Sequence, residues 1–526
     1  MTISRIAMVS LRLLVILTIP ACQVTPQPKA TPTPTQTRDG QARAGQPGLP
    51  ADIAQRNAAV LSAAERAEAE LRYEDAATTL MTYKFSARYD DPQNATVVDR
   101  IWSDVNQTPA HRVAALAAQS GRDDATAWWQ LADALQRSFD LNAERTAIAN
   151  WKRSHPEHPA SRWPPHAFAL IESGVTAPSR VALLLPLSGP LQNAGQAVRD
   201  GFVAAFFHAE SPVAIRIYDT NGAAVAGLYE QACSDGAQLV VGPLDKSGVT
   251  ELNAAPNRQV PILALNYLPT GATASAGLFQ FGLAIEDEAH AIARRIYDDG
   301  LRRVAIIESD LDWSIRAAEA FRSQFDVLGG TVVSVGIIED IRAVTDVVGS
   351  ILLVEASTER MEALARTIGS KPEFIARGRT DLDALVALTD PGQSRALKSA
   401  MAFHFAADVP IYATSQVVGA AAPGTLGELD GIRLTELPWR VQASAIRSEV
   451  ESSFANASST LSPLYALGVD AFRLSGRTEL LIPDSPGRLL GETGVLKVQS
   501  TGAIAREPGW AIVKGGTLVA IPSLAR

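Results

Sequence analysis

The stretch VALLLPLSGPLQNAGQAVRDGF, residues 181–202, determines the fold class of this chain. It begins with a short, continuously apolar run, which is typical of a parallel strand buried on both faces of its sheet. Small and polar residues follow at Ser188 and Gly189, and the remainder has the spacing of an amphipathic helix. A buried strand followed at once by a helix predicts the repeating unit of a doubly wound α/β domain.

The same alternation continues through the rest of the chain. A first series of apolar runs consists of VALLLPL, AIRIYDT, LVVGPL, PILALNY and LFQFGLA. A second series consists of RVAIIES, TVVSVGII, DALVALTD and PIYATSQ. Two such series with right-handed helical crossovers predict two doubly wound lobes. The later segments are interpreted as a return to the first lobe, which would make the lobes a hinged pair; they are GIRLTELPW, SPLYALGVDAFRL and GWAIVKGGTLV.

Residues 51–170 have a different pattern, in which alanine-rich segments of helical period are separated by short breaks. The segments are IAQRNAAVLSAAERAEAEL, YEDAATTLMTYKFSARY, TAWWQLADALQRSFD and AERTAIANWKRS. They predict antiparallel helix pairs like tetratricopeptide repeats, although no clean repeat of that motif occurs. We interpret the tryptophans as packing residues; they are Trp102, Trp128, Trp129 and Trp151. His155 and His158 have a spacing that could bind a metal, but the prolines around them favour a rigid connector.

The N-terminus has the layout of a secretory signal, with Arg5 and Arg12 before an apolar core too short to span a bilayer. Ile19-Pro20-Ala21-Cys22 resembles the lipobox of bacterial lipoproteins, in which the cysteine is lipidated. The alternative is an ordinary signal peptide with an incidental cysteine. Residues 22–50 are rich in proline and poor in large apolar side chains, which predicts a disordered tether. Cys233 is then left without a partner and is interpreted as a small buried apolar residue.

Composition and motifs exclude several classes of protein. A length of 526 residues suggests two to four domains, and a formal net charge of -9 without basic clusters argues against nucleic acid as a partner. The phosphate-binding loop G-x-x-x-x-G-K-[ST], the H-E-x-x-H zinc motif and the G-x-S-x-G nucleophile elbow do not occur. We therefore predict a non-enzyme with no catalytic residue, cofactor or metal, and an unrecognised hydrolase is the enzymatic alternative.

Polar and aromatic residues near the predicted strand ends could line a cleft between the lobes. Ser188 precedes a helix whose free N–H groups could hold a carboxylate, and Glu286 falls in a first helical turn, where the macrodipole favours anions. Capping or packing is the alternative role for each of these side chains. The candidate cleft residues are Ser188, Asn266, Tyr267, Glu286, Trp313, Tyr412 and Thr414.

Several longer stretches occur in order between residues 180 and 500. They include LLPLSGPLQNAGQAVRDGF, LVVGPLDKSGVTEL, FQFGLAIEDEAHAIARRIYDDG, DALVALTDPGQSRALKSAMAFHFAADVPIYATSQ and LYALGVDAF. In these stretches the chain resembles the LpoA/LppC-type penicillin-binding protein activators, a family of outer-membrane lipoproteins. The resemblance implies a helical-repeat domain followed by the fold of type I periplasmic solute receptors. It also implies that the partner is a bifunctional class A penicillin-binding protein whose transpeptidase activity is stimulated allosterically.

We therefore predict a signal peptide at residues 1–21, a tether at 22–50, a helical-repeat domain at 51–170 and a two-lobed domain like type I periplasmic-binding proteins at 171–526. The alternative function is a periplasmic receptor or sensor that closes on amino acids or wall peptides, because the same fold serves such receptors. A long tether and a lipid anchor on Cys22 suit bridging from the outer membrane toward the cell wall, and thus favour the activator. The helical part is shorter than in longer members of the family.

Overall fold

The computed structural model of this chain describes residues 50–522, except residues 71, 120, 122, 173–176, 256–257, 270, 420–423 and 478–487. The predicted signal peptide, Cys22 and nearly all of the predicted tether lie outside the described residues. Within the described residues, no helix is both long enough and apolar enough to cross a membrane.

The region before the first sheet is helical, as the alanine-rich spacing predicts. Its described helices are α1 (Ala51–Ala69), α2 (Tyr73–Leu80), α3 (Pro92–Gln107), α4 (Ala110–Ala117), α5 (Asp124–Gln136), α6 (Leu141–Ser154), α7 (Pro159–Arg162) and α8 (His166–Glu172). Their apolar faces enclose one core. Trp102, Trp128, Trp129 and Trp151 are each at most 7% exposed in this core, which confirms them as packing residues.

The predicted helix at residues 73–89 is wrong in its second half, because α2 ends at Leu80. The backbone beyond it is bound by asparagine side chains. Asn57 Nδ2 donates to Lys84 O at 2.9 Å, and Asn57 Oδ1 accepts from Lys84 N at 3.0 Å. Asn94 makes the same pair of bonds with Ser86, both at 3.1 Å. These side-chain amides satisfy backbone N–H and C=O groups that a helix would have paired with each other. The helical period of the sequence does not predict such bonds.

Residues 155–165 connect α6 to α8 and include the short helix α7. His158 is 3% exposed; its Nδ1 accepts from Ala160 N at 3.1 Å and its Nε2 lies 3.0 Å from Asp124 O. Burial lowers the pKa of His158, so a neutral ring with its proton on Nε2 satisfies both contacts. No group of three or more His, Cys, Asp or Glu side chains in the described structure could hold a metal ion.

The first series of runs forms one parallel sheet with the described order β2-β1-β3-β4-β5. Its strands are β1 (Arg180–Leu185), β2 (Ala214–Asp219), β3 (Leu239–Val241), β4 (Ile262–Ala264) and β5 (Leu278–Gln280). The helices between them are α9 (Gln192–His208), α10 (Val225–Ser234) and α11 (Lys246–Ala254). Every residue of β1 except the first is buried, as a continuously apolar run requires. All five predicted strands are confirmed.

The second series forms a larger sheet with the described order β15-β14-β10-β9-β8-β6-β7, in which only the β14 pairings are antiparallel. Its strands are β6 (Arg303–Ser309), β7 (Thr331–Ile338), β8 (Ala384–Leu388), β9 (Ile411–Ala413), β10 (Arg433–Glu436), β14 (Gly509–Lys514) and β15 (Thr517–Ile521). Its helices are α12 (Ile285–Asp298), α13 (Asp312–Val327), α14 (Val344–Ile351), α15 (Val354–Ile368) and α16 (Pro391–Phe403). The four predicted strands are confirmed.

The three late segments differ in how far they return to the first lobe. SPLYALGVDAFRL forms α19 (Ser462–Ser475), which packs in the core of the first lobe. The return predicted for GIRLTELPW is partly confirmed, because β10 joins the second sheet while Leu437 and Trp439 pack in the core of the first lobe. The return predicted for GWAIVKGGTLV is wrong, because this segment forms the β14–β15 hairpin of the second sheet. Buried strands of either lobe need the same apolar residues, so composition does not indicate which sheet a strand joins.

A small antiparallel sheet accompanies α19 and was not predicted. Its described strands are β11 (Leu489–Leu490), β12 (Val495–Val498) and β13 (Ile504–Glu507), and the helices α17 (Pro438–Val441) and α18 (Ala445–Ser453) precede α19. Apolar residues of this sheet share one core with β1 and α9. The first lobe is therefore assembled from two separate parts of the chain.

Helices α9 and α19 touch backbone to backbone. A Cβ atom at Gly468 would lie 2.1 Å from Val198 O, and one at Gly201 would lie 2.1 Å from Tyr465 O. Glycine is required at both positions, because any side chain would force the helices apart.

Arg473 and Asp470 on α19 are both buried and tie together neighbouring parts of the chain. Arg473 donates to Leu490 O at 2.6 Å and to Phe139 O, in the helical region, at 3.0 Å. Asp470 lies 3.7 Å from Arg473 and accepts from Thr493 N at 2.8 Å. The helical region is thus bound to the first lobe through α19.

We expect Gly468→Ala to destabilise the protein by about 1–3 kcal/mol, because the added methyl group overpacks the α9–α19 contact. The matched control is Gly227→Ala on α10, where a Cβ would meet no atom within 4 Å. Alanine there should raise stability slightly, since it is the better helix former. Thermal unfolding checks both variants, and equal midpoints for the two would contradict the tight contact.

Candidate functional site

The two lobes meet where the carboxyl ends of several strands converge. Within the described residues the chain passes between the lobes after β5, after β10 and after β13. α12 begins shortly after β5, and Glu288 in its first turn contacts Ser415 and Thr435, at the ends of β9 and β10. The several crossings expected of a hinged pair are therefore present.

Ser188 is bound to a neighbouring strand of its own lobe. Its Oγ donates to Asp219 Oδ2 at 2.6 Å, and Leu187 N donates to Asp219 Oδ1 at 2.8 Å. The Ser188 hydrogen bond lowers the pKa of Asp219. Ser188 does not cap α9, which begins at Gln192.

Asn266 and Tyr267 also make their bonds inside the first lobe. Asn266 Nδ2 donates to Leu244 O at 2.9 Å, which connects the loops after β4 and β3. The Tyr267 hydroxyl donates to Ile504 O, in the small sheet, at 3.0 Å. Burial raises the pKa of Tyr267 well above its usual value, so the hydroxyl stays protonated as a donor.

Glu286 and Trp313 lie close together in the second lobe. Glu286 Oε1 accepts from Arg316 Nε at 2.8 Å, which joins the first turns of α12 and α13. Trp313 is half-buried one turn before Arg316 and packs against the apolar cluster between these helices.

Tyr412 and Thr414 are both fully buried, but they differ in their hydrogen-bond partners. The Tyr412 hydroxyl donates to Asp299, just beyond the far end of α12, and accepts from Arg433 Nη1 at 2.8 Å. Burial raises the pKa of Tyr412 to about 12. Thr414 Oγ1 has no hydrogen-bond partner among the described residues. The structure therefore does not bring Tyr412 together with the other strand-end side chains.

A buried pair of opposite charges lies at the hinge, and the sequence did not predict it. Glu288 accepts from Ser415 N and Thr435 Oγ1, both at 2.8 Å. Its Oε1 also lies 3.6 Å from Arg506 Nη2, and Arg506 donates to Ala284 O at 3.2 Å. Arg506 belongs to the small sheet of the first lobe, whereas Glu288 belongs to the second. The pair thus fastens the lobes at their crossing point.

Two further carboxyl groups lie beside this pair. Burial raises the pKa of Asp287 to about 6, against the opposing effect of Arg506. Burial also raises the pKa of Glu436 to about 7, although Arg440 Nη1 lies 2.9 Å from its Oε2. The sequence placed Glu286 in a first helical turn, and α12 confirms this placement for Glu286 and for its neighbours Asp287 and Glu288. It could not indicate Arg506 as their partner, because no local pattern links positions so far apart.

Few polar groups at the strand ends are free to bind a small ligand between the lobes. The polar groups of the candidate residues named above, apart from Trp313 and Thr414, are bound within their own lobes. A cavity of about 540 Å³ lies instead between the helical region and the hinge; Tyr73, Arg294 and Trp510 help to line it, and none of the candidate cleft residues does.

A helical region fastened to two doubly wound lobes, with three crossings between them, defines a protein built on the type I periplasmic-binding-protein fold. The chain belongs to the LppC family, since the family model described as "LppC putative lipoprotein" matches residues 49–516.

Two similar proteins from different bacteria have the same name. The penicillin-binding protein activator LpoA of Vibrio cholerae serotype O1 is 26% identical over 428 residues, which cover 79% of this chain and 70% of the relative. The protein of that name from Haemophilus influenzae is 25% identical over 382 residues, which cover 71% of this chain and 61% of the relative.

Solved structures show the same fold. Full-length LpoA from Haemophilus influenzae matches with a TM-score of 0.56 and 22% identity, over 89% of this chain and 82% of that one. The C-domain of LpoA from the same organism, described as a regulator of PBP1A, matches with a TM-score of 0.54 and 24% identity. That match covers 65% of this chain and 100% of the C-domain.

We expect Arg506→Met to destabilise the protein by about 3–5 kcal/mol, because it leaves Glu288 buried without its cation. The matched control is Arg342→Met, since the Arg342 side chain is 87% exposed and should contribute nothing measurable. The midpoint of thermal unfolding is the measurement. A loss no larger than that of the control would contradict the hinge pair.

We expect Glu436→Gln to change how stability depends on pH. The pKa of about 7 in the folded state lies above the usual 4.5, so the proton binds the folded state more tightly. The resulting stabilisation is present below the usual value and is lost as the pH rises through 7. Between pH 5 and pH 8 the wild type should therefore lose on the order of 2 kcal/mol relative to Glu436→Gln. Parallel pH profiles of unfolding would refute the raised pKa.

Proposed function

We propose that this chain is an outer-membrane lipoprotein that binds a bifunctional class A penicillin-binding protein and stimulates its transpeptidase activity in peptidoglycan synthesis. The observation that carries the proposal is membership of the LppC family over residues 49–516, together with the activator name that its curated relatives bear. The match spans 70% of the length of the Vibrio cholerae relative.

The geometry supports an activator over a solute receptor. A receptor needs free polar groups at the strand ends and a hinge that opens and closes. Here Ser188, Asn266 and Tyr267 are bound inside the first lobe, and Glu286 is bound inside the second. The buried contact between Arg506 and Glu288 also resists opening of the hinge.

The proposed anchor is a lipid on Cys22, with residues 22–50 as the tether. Two features support it: the lipobox-like stretch Ile19-Pro20-Ala21-Cys22 and the lipoprotein description of the family. A tether of this length extends on the order of 90 Å when fully stretched. The folded body could then meet a synthase some distance from the outer membrane.

The proposed mechanism is allosteric and uses no bond chemistry in this chain. An activator shifts the synthase toward the transpeptidase-competent state only if it binds that state more tightly than the others. An eightfold preference corresponds to about 1.2 kcal/mol, which a few well-placed contacts supply. A large rigid body suits this role, because a rigid surface loses little entropy on docking.

We expect the purified chain to increase crosslinking several-fold when it is added to a class A penicillin-binding protein of the same cell with lipid II as substrate. The measurement is the fraction of crosslinked peptides in the product. The heat-unfolded chain is the control and should have no effect. No increase with folded protein, at concentrations where binding to the synthase is demonstrated, would refute activation.

We expect Cys22→Ser to abolish membrane association while the soluble body still stimulates the synthase. Cys233→Ser is the matched control, because Cys233 is half-buried in the first lobe and should not affect anchoring. Cell fractionation and the crosslinking assay read the two properties separately. Retention of Cys22→Ser in the membrane fraction would contradict the proposed anchor.

A further inference from the structure

A second cavity lies between the helical region and the first lobe and has a volume of about 140 Å³. Most of its wall is apolar. Trp102, Leu135 and Ile171 contribute from the helical side, and Leu474, Leu489 and Leu496 contribute from α19 and the small sheet. An apolar cavity of about this size accommodates a molecule as large as benzene.

Arg477 also lines this cavity, and its side chain is only 9% exposed. Its Nη1 donates to Glu144 Oε2 on α6 at 2.7 Å. Its Nε and Nη2 have no hydrogen-bond partner among the described residues. Leaving two nitrogen donors of a buried guanidinium without partners is costly, and native structures rarely do so without a ligand or water.

The charges around the cavity favour an anion. Arg477, Arg488 and Lys497 line it, and Glu144 is the single acidic residue among the lining residues. Glu144 neutralises one of the three cations through its bond to Arg477. Because the wall retains positive charge while most of its surface is apolar, a suitable ligand combines one negative group with a hydrocarbon body.

We propose that this cavity binds a small aliphatic carboxylate with a chain of about six carbon atoms. The carboxylate accepts hydrogen bonds from Nε and Nη2 of Arg477, whose fork matches the two oxygens. The hydrocarbon chain packs against the leucines of the two walls. Such a ligand would contact both the helical region and the first lobe, so its binding would stabilise their junction.

The test is binding of hexanoate to the purified chain, with 1-hexanol and hexylamine as neutral and cationic controls. We expect saturable 1:1 binding of hexanoate with a Kd on the order of 1 mM or tighter, measured by calorimetry. Both controls should bind at least about tenfold more weakly, because they lack the charge that Arg477 recognises. No saturable binding, or equal binding of hexanol, would overturn the proposal.

Two variants test the position of the site. Arg477→Lys keeps a cation beside Glu144 but removes the fork of Nε and Nη2, and Ala132→Leu fills the cavity from α5. Each should weaken hexanoate binding at least about tenfold. Arg342→Met, on the exposed surface, should bind as the wild type does. Unchanged affinity in folded Arg477→Lys would overturn the assignment.

A photolabel locates the ligand even if a variant fails to fold. A hexanoate that carries a diazirine, activated on the wild-type chain, should label residues of α5 or α19 as read by mass spectrometry. Excess hexanoate should prevent this labelling. Labelling confined to other parts of the chain would overturn the proposed site.

Discussion

The structure depends on one pair of opposite charges buried on α19. Asp470 is fully buried and binds the turn before β12, while Arg473 binds the loop at Phe139 and the backbone of Leu490. Removing either partner would leave an uncompensated charge in the interior, which proteins tolerate poorly. The hydrogen bonds of Arg473 also join the helical region to the first lobe. The glycine contact with α9 on another side of α19 then gives the first lobe its shape.

The same device recurs at the hinge, where a second buried pair of opposite charges joins the two lobes. Arg506 and Glu288 hold the crossing point between the lobes, as Arg473 and Asp470 hold the junction with the helical region. Both pairs are buried and their hydrogen bonds are directional, so small displacements are costly. A chain fastened at both junctions presents its surfaces at fixed spacing. A protein partner can recognise such spacing, whereas a solute requires a cleft that closes.

The sequence predicts local structure well here and long-range pairing poorly. Apolar runs identified all nine strands of the two predicted series, but burial on both faces does not hold for all of them. β2 and β7, each at the edge of its sheet, are largely exposed or half-buried. Periodicity could not show that β10 and the last hairpin remain in the second sheet, or that Asn57 ends a helix at a distance. Ser188 and Asn266 follow the ends of β1 and β4, but the groups they bind belong to other strands and loops. Arg506 in IARE has no local feature that distinguishes it from a surface arginine.

Because the first lobe is assembled from two separate parts of the chain, it cannot be completed until late in synthesis. β1 to β5 leave the ribosome long before α19 and the small sheet, which complete the core that covers β1 and α9. The helical region also remains incomplete until late in synthesis, because it contacts Arg473 on α19. Until residues 462–506 have been synthesised, apolar surface on both must remain unburied, and the nascent chain is therefore a substrate for holding chaperones. Losing residues 462–526 would consequently remove parts of the first lobe and of its junction with the helical region, as well as the β14–β15 hairpin of the second sheet.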